Sequence, residues 1–252
     1  MTTIGATAVV DRQGLQALVA ALVAGGRTVV GPTVRDGAIV LAELDSAEQL
    51  PYGWGVELEA GHYRLRRRED GAAFAHSAGP QSWKNFLHPQ REKLCTEPGA
   101  TCFCVSMGTG PGADSGFDLA LTEVVDDAGH RFYVRVGSEE GATLLDALPS
   151  READGTTANV ARAVVAGAVD KMGRSMPPVD LHALMGASLE AERWDDVASR
   201  CRYRQWLTHK LGTWHDQFNS SGCVGCGRCI VWCPVGIDIT EEVTALKEEA
   251  ER

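Results

Sequence analysis

Cys223, Cys226, Cys229 and Cys233 fall within eleven residues of one another, and Pro234 follows at once. The run reads Cys223-Val-Gly-Cys226-Gly-Arg-Cys229-Ile-Val-Trp-Cys233-Pro234, a C-x2-C-x2-C-x3-C-P spacing. Four thiolates set this closely suit a cubic iron–sulfur cluster, for which that spacing is a known ligand pattern. Gly225 and Gly227 give the loop the backbone freedom to wrap such a group. The alternatives are a zinc knuckle or a disulfide framework. Zinc ligands usually come as two C-x2-C pairs a dozen or more residues apart, unlike this run.

In paired clusters of this type the fourth cysteine, the one before proline, ligates the neighbouring cluster. A lone copy therefore leaves Cys233 looking for a second cluster and the first three cysteines looking for a remote thiolate. Cys201, 22 residues before Cys223, is the nearest unassigned cysteine. It either completes that cluster or is a small buried hydrophobe. Cys95, Cys102 and Cys104 form a second group. They fit a further cluster site short of one ligand, a surface thiol pair, or core cysteines. Nearby, Gly108-Thr-Gly110-Pro-Gly112-Ala113 formally fits the dinucleotide fingerprint G-x-G-x-x-A. The segment after it reads as a β-hairpin, with no helix to receive a pyrophosphate, so a tight loop is expected instead.

Trp206 and Trp214 precede the four-cysteine run and Trp232 lies within it, where aromatic bulk limits water access and tunes a cluster's reduction potential. His209 and His215 precede the run and read as solvated helix residues. No Ser/His/Asp group or carboxylate pair stands out as a catalytic site.

The elements that must position these residues are of two kinds. Asp11 caps a helix whose stripe is Leu15, Leu18, Val19 and Leu22, ending at Gly25-Gly26. Strands are expected at Thr28–Val30, Ala38–Leu44 and His62–Arg68, forming a small mixed sheet. A helix or turn is expected over Trp83–Leu94. Asp118–Val125 and His130–Val136 flank Asp126-Asp-Ala-Gly129 as a hairpin, and Ser138 caps a helix ending near Leu148. From Thr157 to Leu211 the pattern is almost wholly helical, and a closing helix starts at Thr240 with Asp238 and Glu241 as a capping box. The expected fold class is α+β. A mixed α/β domain over residues 1–150, carrying the Cys95/Cys102/Cys104 loop, precedes a helical ferredoxin-like 4Fe-4S domain over 151–252.

The chain has 252 residues, 44% of them hydrophobic, and a formal charge of -10. That acidity argues against nucleic acid or an anionic membrane as a partner. The one basic run, Arg64 to Arg68, reads as the solvated face of a strand. No segment approaches the ~20 apolar residues of a membrane span. The N-terminus lacks the features of a signal peptide. Eight cysteines without an export signal suggest metal ligation rather than disulfides, and a cytoplasmic location.

The chain resembles the iron–sulfur beta subunit of sulfhydrogenases, cytoplasmic nickel–iron hydrogenases coupled to NAD(P), and is similar to the related A subunit of anaerobic sulfite reductase. The words that carry the resemblance are Trp83-Lys-Asn-Phe-Leu-His-Pro89, Thr101-Cys-Phe-Cys104 with Ser106-Met-Gly-Thr-Gly-Pro111, Arg204-Gln-Trp-Leu-Thr-His-Lys210 and Gly222 through Thr240. It implies an electron-transfer subunit with two cubane clusters in a C-terminal helical domain. It also implies a further cluster site at Cys95, Cys102 and Cys104. The implied partners are the hydrogenase large and small subunits and a flavin subunit that exchanges electrons with NAD(P). The chain departs from the family at two places. After a position like Cys201 the family carries its own four-cysteine motif, and between Leu94 and Cys95 it carries an α/β segment with a further cysteine. The chain is either a shortened homologue with fewer clusters or a sequence from which two segments have dropped out.

Overall fold

The computed structural model describes residues 1–77, 79, 86, 96–190 and 205–252, without the side chains of 188–190. The expected helix or turn at Trp83–Leu94 and both junctions, Leu94–Cys95 and Cys201–Arg202, lie outside the described residues, Phe86 apart.

Alternating apolar residues build an antiparallel sheet in the order β6-β7-β1-β8: β6 is Leu119–Asp126, β7 Gly129–Val136, β1 Thr7–Asp11 and β8 Arg151–Glu152. The hairpin turns at Asp126–Gly129, as its sequence requires. Register sets Val10 opposite Phe132 and Ala8 opposite Val134, so these four share one face. That face is covered by α1 (Arg12–Ala24) through Leu15 and Val19, and by α2 (Glu139–Asp146) through Ala142 and Leu145. Both helices start where expected: Asp11 accepts from the Gly14 N–H at 2.9 Å and Ser138 from the Gly141 N–H at 3.0 Å. The opposite face, Val124 and Tyr133, packs on Ala161 of α3 (Gly155–Gly167). The sheet unit thus runs past residue 150, because β8 pairs with β1 and α3 covers the sheet. A shift in composition marks where strands stop being frequent, not where packing stops.

Two further antiparallel hairpins stand beside this sheet: β2 (Val30–Arg35) with β3 (Ala38–Glu43), and β4 (Trp54–Glu59) with β5 (His62–Arg67). They replace the single mixed sheet expected from sequence. β2 begins where the expected strand ends; Gly31 and Pro32 conceal it, and a two-stranded ribbon tolerates a proline that lacks an N–H. On β5, Arg64, Arg66 and Arg67 are exposed, as a solvated face requires.

The rest is helical: α4 (Leu181–Glu190), residues 205–208, a π-helical turn at His209–Thr213, and α5 (Trp214–Phe218). They are followed by the one-turn α6 (Arg228–Val231) and by α7 (Ile239–Ala250). Asp238 caps α7 by accepting from the Thr240 N–H at 2.9 Å, without the reciprocal bond from Glu241 that a capping box needs. The second core joins Met185, Leu207, Leu211, Ile230, Ile239 and Val243 to Phe103, a residue far away in sequence. The molecule is therefore α+β, with sheets in the N-terminal part and a helical C-terminal segment around the cysteine run.

Candidate metal centre

The helical stretch before the cysteines ends at Asn219, whose left-handed backbone (φ 52°) turns the chain back. The Gly222 N–H then bonds the Lys210 carbonyl at 3.0 Å, clasping the loop to the π-helical turn. Cys223 is buried, and Cys226, Cys229 and Cys233 are half-buried. Cys229 sits on α6, followed directly by the buried Ile230 and Val231. The β4–β5 turn holds α6 in place, with the Gly61 N–H donating to the Ile230 carbonyl at 3.0 Å. The Arg228 guanidinium adds a bond to the Gly79 carbonyl at 3.0 Å.

A second loop closes on the first. The Phe103 N–H donates to the Gly225 carbonyl at 2.8 Å, and the Thr109 hydroxyl donates to the Val224 carbonyl at 2.6 Å. The Cys102 thiol lies 3.3 Å from the Cys226 carbonyl and accepts from the Gly99 N–H at 3.3 Å. Cys104 is buried with its sulfur 3.5 Å from the Met172 sulfur. This docking explains two glycines. Gly225 and Gly227 have φ of +70° and +68°, and an added Cβ would come within 2.6 Å of the Cys104 backbone and 2.3 Å of the Thr101 carbonyl. Any side chain there forces the loops apart.

The main-chain N–H groups of Val224, Gly225, Cys226 and Gly227 find no acceptor among the described residues. Successive unsatisfied N–H groups make a nest for negative charge, and buried donors rarely go without a partner. Burial also pushes the Cys229 thiol up to about 11; Lys210 opposes this, while the neighbouring Cys223 and Cys226 add to it. A thiolate at Cys229 is therefore favoured by a bound cation, which deprotonates a coordinating thiol outright. At the end of the run the Ile237 N–H donates to the Cys233 sulfur at 3.3 Å. Four thiolates, a row of unused N–H donors and a bond to a ligand sulfur fit an iron–sulfur cluster, which bears negative charge on sulfur. No three His, Cys, Asp or Glu side chains converge on one ion among the described residues. A cubane asks for a different arrangement, with one thiolate at each of four iron corners.

Of the cysteines singled out by sequence, the structure places Cys223, Cys226, Cys229 and Cys233 on one loop and brings Cys102 and Cys104 against it. Cys95 and Cys201 lie outside the described residues. Trp214 packs its ring on Gly222, whereas Trp206 and Trp232 are partly exposed and Trp232 stacks on Tyr63 with ring centroids 4.9 Å apart. His209 is an exposed helix residue that pairs with Thr213. Gly108–Ala113 leads through a loop into β6, and no helix N-terminus follows it. Gly61 and Met172 gave no signal in the sequence, and Thr109 stood there only within the Ser106–Pro111 stretch with no role of its own, because their contacts are set by chain segments distant from the motif.

No helix among the described residues is long and apolar enough to cross a membrane. No curated protein and no solved structure matches the chain. Residues 187–237 match the family model of the 4Fe-4S dicluster domain, a stretch that contains Cys201 and all four cysteines of the run. The C-terminal part of this chain is thus an iron–sulfur electron-transfer domain of the 4Fe-4S dicluster type, with its cysteines at 223–233.

Proposed function

We propose that the chain is the electron-transfer iron–sulfur subunit of a multi-subunit, NAD(P)-linked nickel–iron hydrogenase, relaying electrons between the hydrogenase core and a flavin subunit. The observation that carries the reading is the docking of Thr101-Cys-Phe-Cys104 onto the Cys223–Cys233 loop. It unites two of the sequence words that resemble the sulfhydrogenase beta subunit. Cys223, Cys226, Cys229 and Cys233 would hold iron, with Cys201 as a further ligand. Cys95, Cys102 and Cys104 would form a second, N-terminal centre beside the first.

A bound cluster supplies a one-electron store that is filled and emptied without bond chemistry on a substrate. The chain's own residues shape that store. Unused N–H groups at 224–227 favour the more negative, reduced state, and the Ile237 bond to Cys233 does the same. Ile230, Val231 and Phe103 keep water from the inner side of the loop. The half-buried Cys226, Cys229 and Cys233 leave an outer side near which a partner's redox group can approach.

Purification of the tagged chain from its native cells tests the assignment. The reading expects a brown protein whose visible absorbance is bleached by dithionite, accompanied by a nickel-containing large subunit and a flavoprotein. A sirohaem partner would transfer the chain to sulfite reduction, as the A-subunit resemblance allows. A colourless protein with stoichiometric zinc would reject both.

A further inference from the structure

Among the described residues, three buried side-chain atoms make no hydrogen bond: His76 Nδ1, Thr101 Oγ1 and Trp214 Nε1. Buried orphans of this kind ask for a partner from outside the protein. Thr101 is the one that lies against Gly227, inside the cysteine run. The residue is 1% exposed, and a Cβ built on Gly227, between Cys226 and Cys229, would lie 2.6 Å from its hydroxyl. The backbone at Thr101 has no room to withdraw, since its carbonyl crowds the same glycine. A threonine hydroxyl carries one proton that turns toward whatever acceptor is present. Here the described protein offers none.

We propose that the Thr101 hydroxyl donates a hydrogen bond to a sulfur of the cluster held by the 223–233 thiolates, making Thr101 a positioning residue that raises the cluster's reduction potential. The inference rests on reading that loop as a cluster cradle. Reduction adds an electron to the cluster and increases the negative charge on its sulfurs. A donor bonded to one of them therefore stabilises the reduced form more than the oxidised form. Removing the donor while keeping the volume shifts the equilibrium toward the oxidised cluster. Thr109, a few residues on, cannot substitute, because its hydroxyl is already given to the Val224 carbonyl.

The test compares wild type, Thr101→Val and Thr101→Ser, each as the complete iron-loaded chain, by redox titration followed by EPR. In T101V the ratio of reduced to oxidised cluster at a fixed potential should fall about tenfold, ~59 mV for one electron. T101S should restore it. Proton ENDOR of the reduced cluster in H2O and D2O should show an exchangeable coupling in wild type and T101S that T101V lacks. A loaded T101V with unchanged potential and unchanged coupling overturns the proposal, as does a wild-type cluster with no exchangeable coupling at all. Should T101V fail to retain iron, Thr101→Ala removes the hydroxyl without added bulk and takes the same measurements. A wild-type chain that binds no iron would instead sink the cluster reading, a separate failure visible before any variant is made.

Discussion

The sheet core and the cysteine-side core of this molecule are held by different means. Around Phe132 and Val10 the chain buries aliphatic and aromatic side chains between a four-stranded sheet and two capped helices. Its strands satisfy one another's N–H and C=O groups, so packing and pairing suffice. Around Cys223 the core is drawn from α4, a π-helical turn, α7, the four-residue α6 and the loop at Phe103. Elements as short as α6 do not persist alone, and the loop between them carries donors without acceptors among the described residues. One region folds by burying surface; the other waits for a ligand to satisfy it, and its folding energy is partly binding energy.

Stripping the iron with a chelator is the strongest way to break this comparison. Hydrogen exchange should then show residues 205–250 losing most of their protection while β1, β6 and β7 keep theirs. Equal loss in both regions would show that the sheet also depends on metal. The converse cut is Phe132→Ala. It empties a fully buried site in the sheet core and should cost about 3–5 kcal/mol by denaturant titration. The visible spectrum of the folded fraction should not change. If the absorbance shifts, the two cores are coupled more tightly than their packing indicates.

Smaller changes sharpen the boundary between the two regions. Gly225→Ala puts a Cβ 2.6 Å from the Cys104 backbone at a left-handed position. It should cost about 1–3 kcal/mol, read mainly as lower iron content after purification. Full iron retention in that variant would mean that the Thr101–Cys104 loop is not needed to close the site.

Asp238 supplies the mildest probe. Burial alone would raise its pKa, but bonds from Thr240 and the Arg174 guanidinium outweigh burial and hold it below the usual carboxylate range. Its pKa being depressed in the folded state, its contribution is present above about pH 4 and lost as pH falls through the lower native value. Asp238→Ala should cost about 1 kcal/mol through the lost cap and flatten acid unfolding of the cysteine side below pH 4. An unchanged acid midpoint would remove Asp238 from that transition.

Local signals were legible where one segment makes its own structure. The Asp126–Gly129 turn, the Asp11 and Ser138 caps, and the cysteine spacing each rest on neighbouring residues. Strands β1 and β4 escaped notice because five or six residues with little alternation become strands only when a partner is supplied. Asp238 was read correctly as a cap, its carboxylate accepting from Thr240 and Arg174, while its own backbone N–H does not bond the Glu241 carboxylate, so the capping box is half formed.

By itself the order of residues determined the metal chemistry, because thiolates three and four positions apart in one short segment are brought close together whatever surrounds them. Tertiary structure decided what closes over that loop: Thr101, Phe103, Thr109 and the Gly61 turn arrive from far along the chain. Contacts of that separation depend on how sheets and helices stack, and stacking is a property of the whole fold rather than of any segment within it.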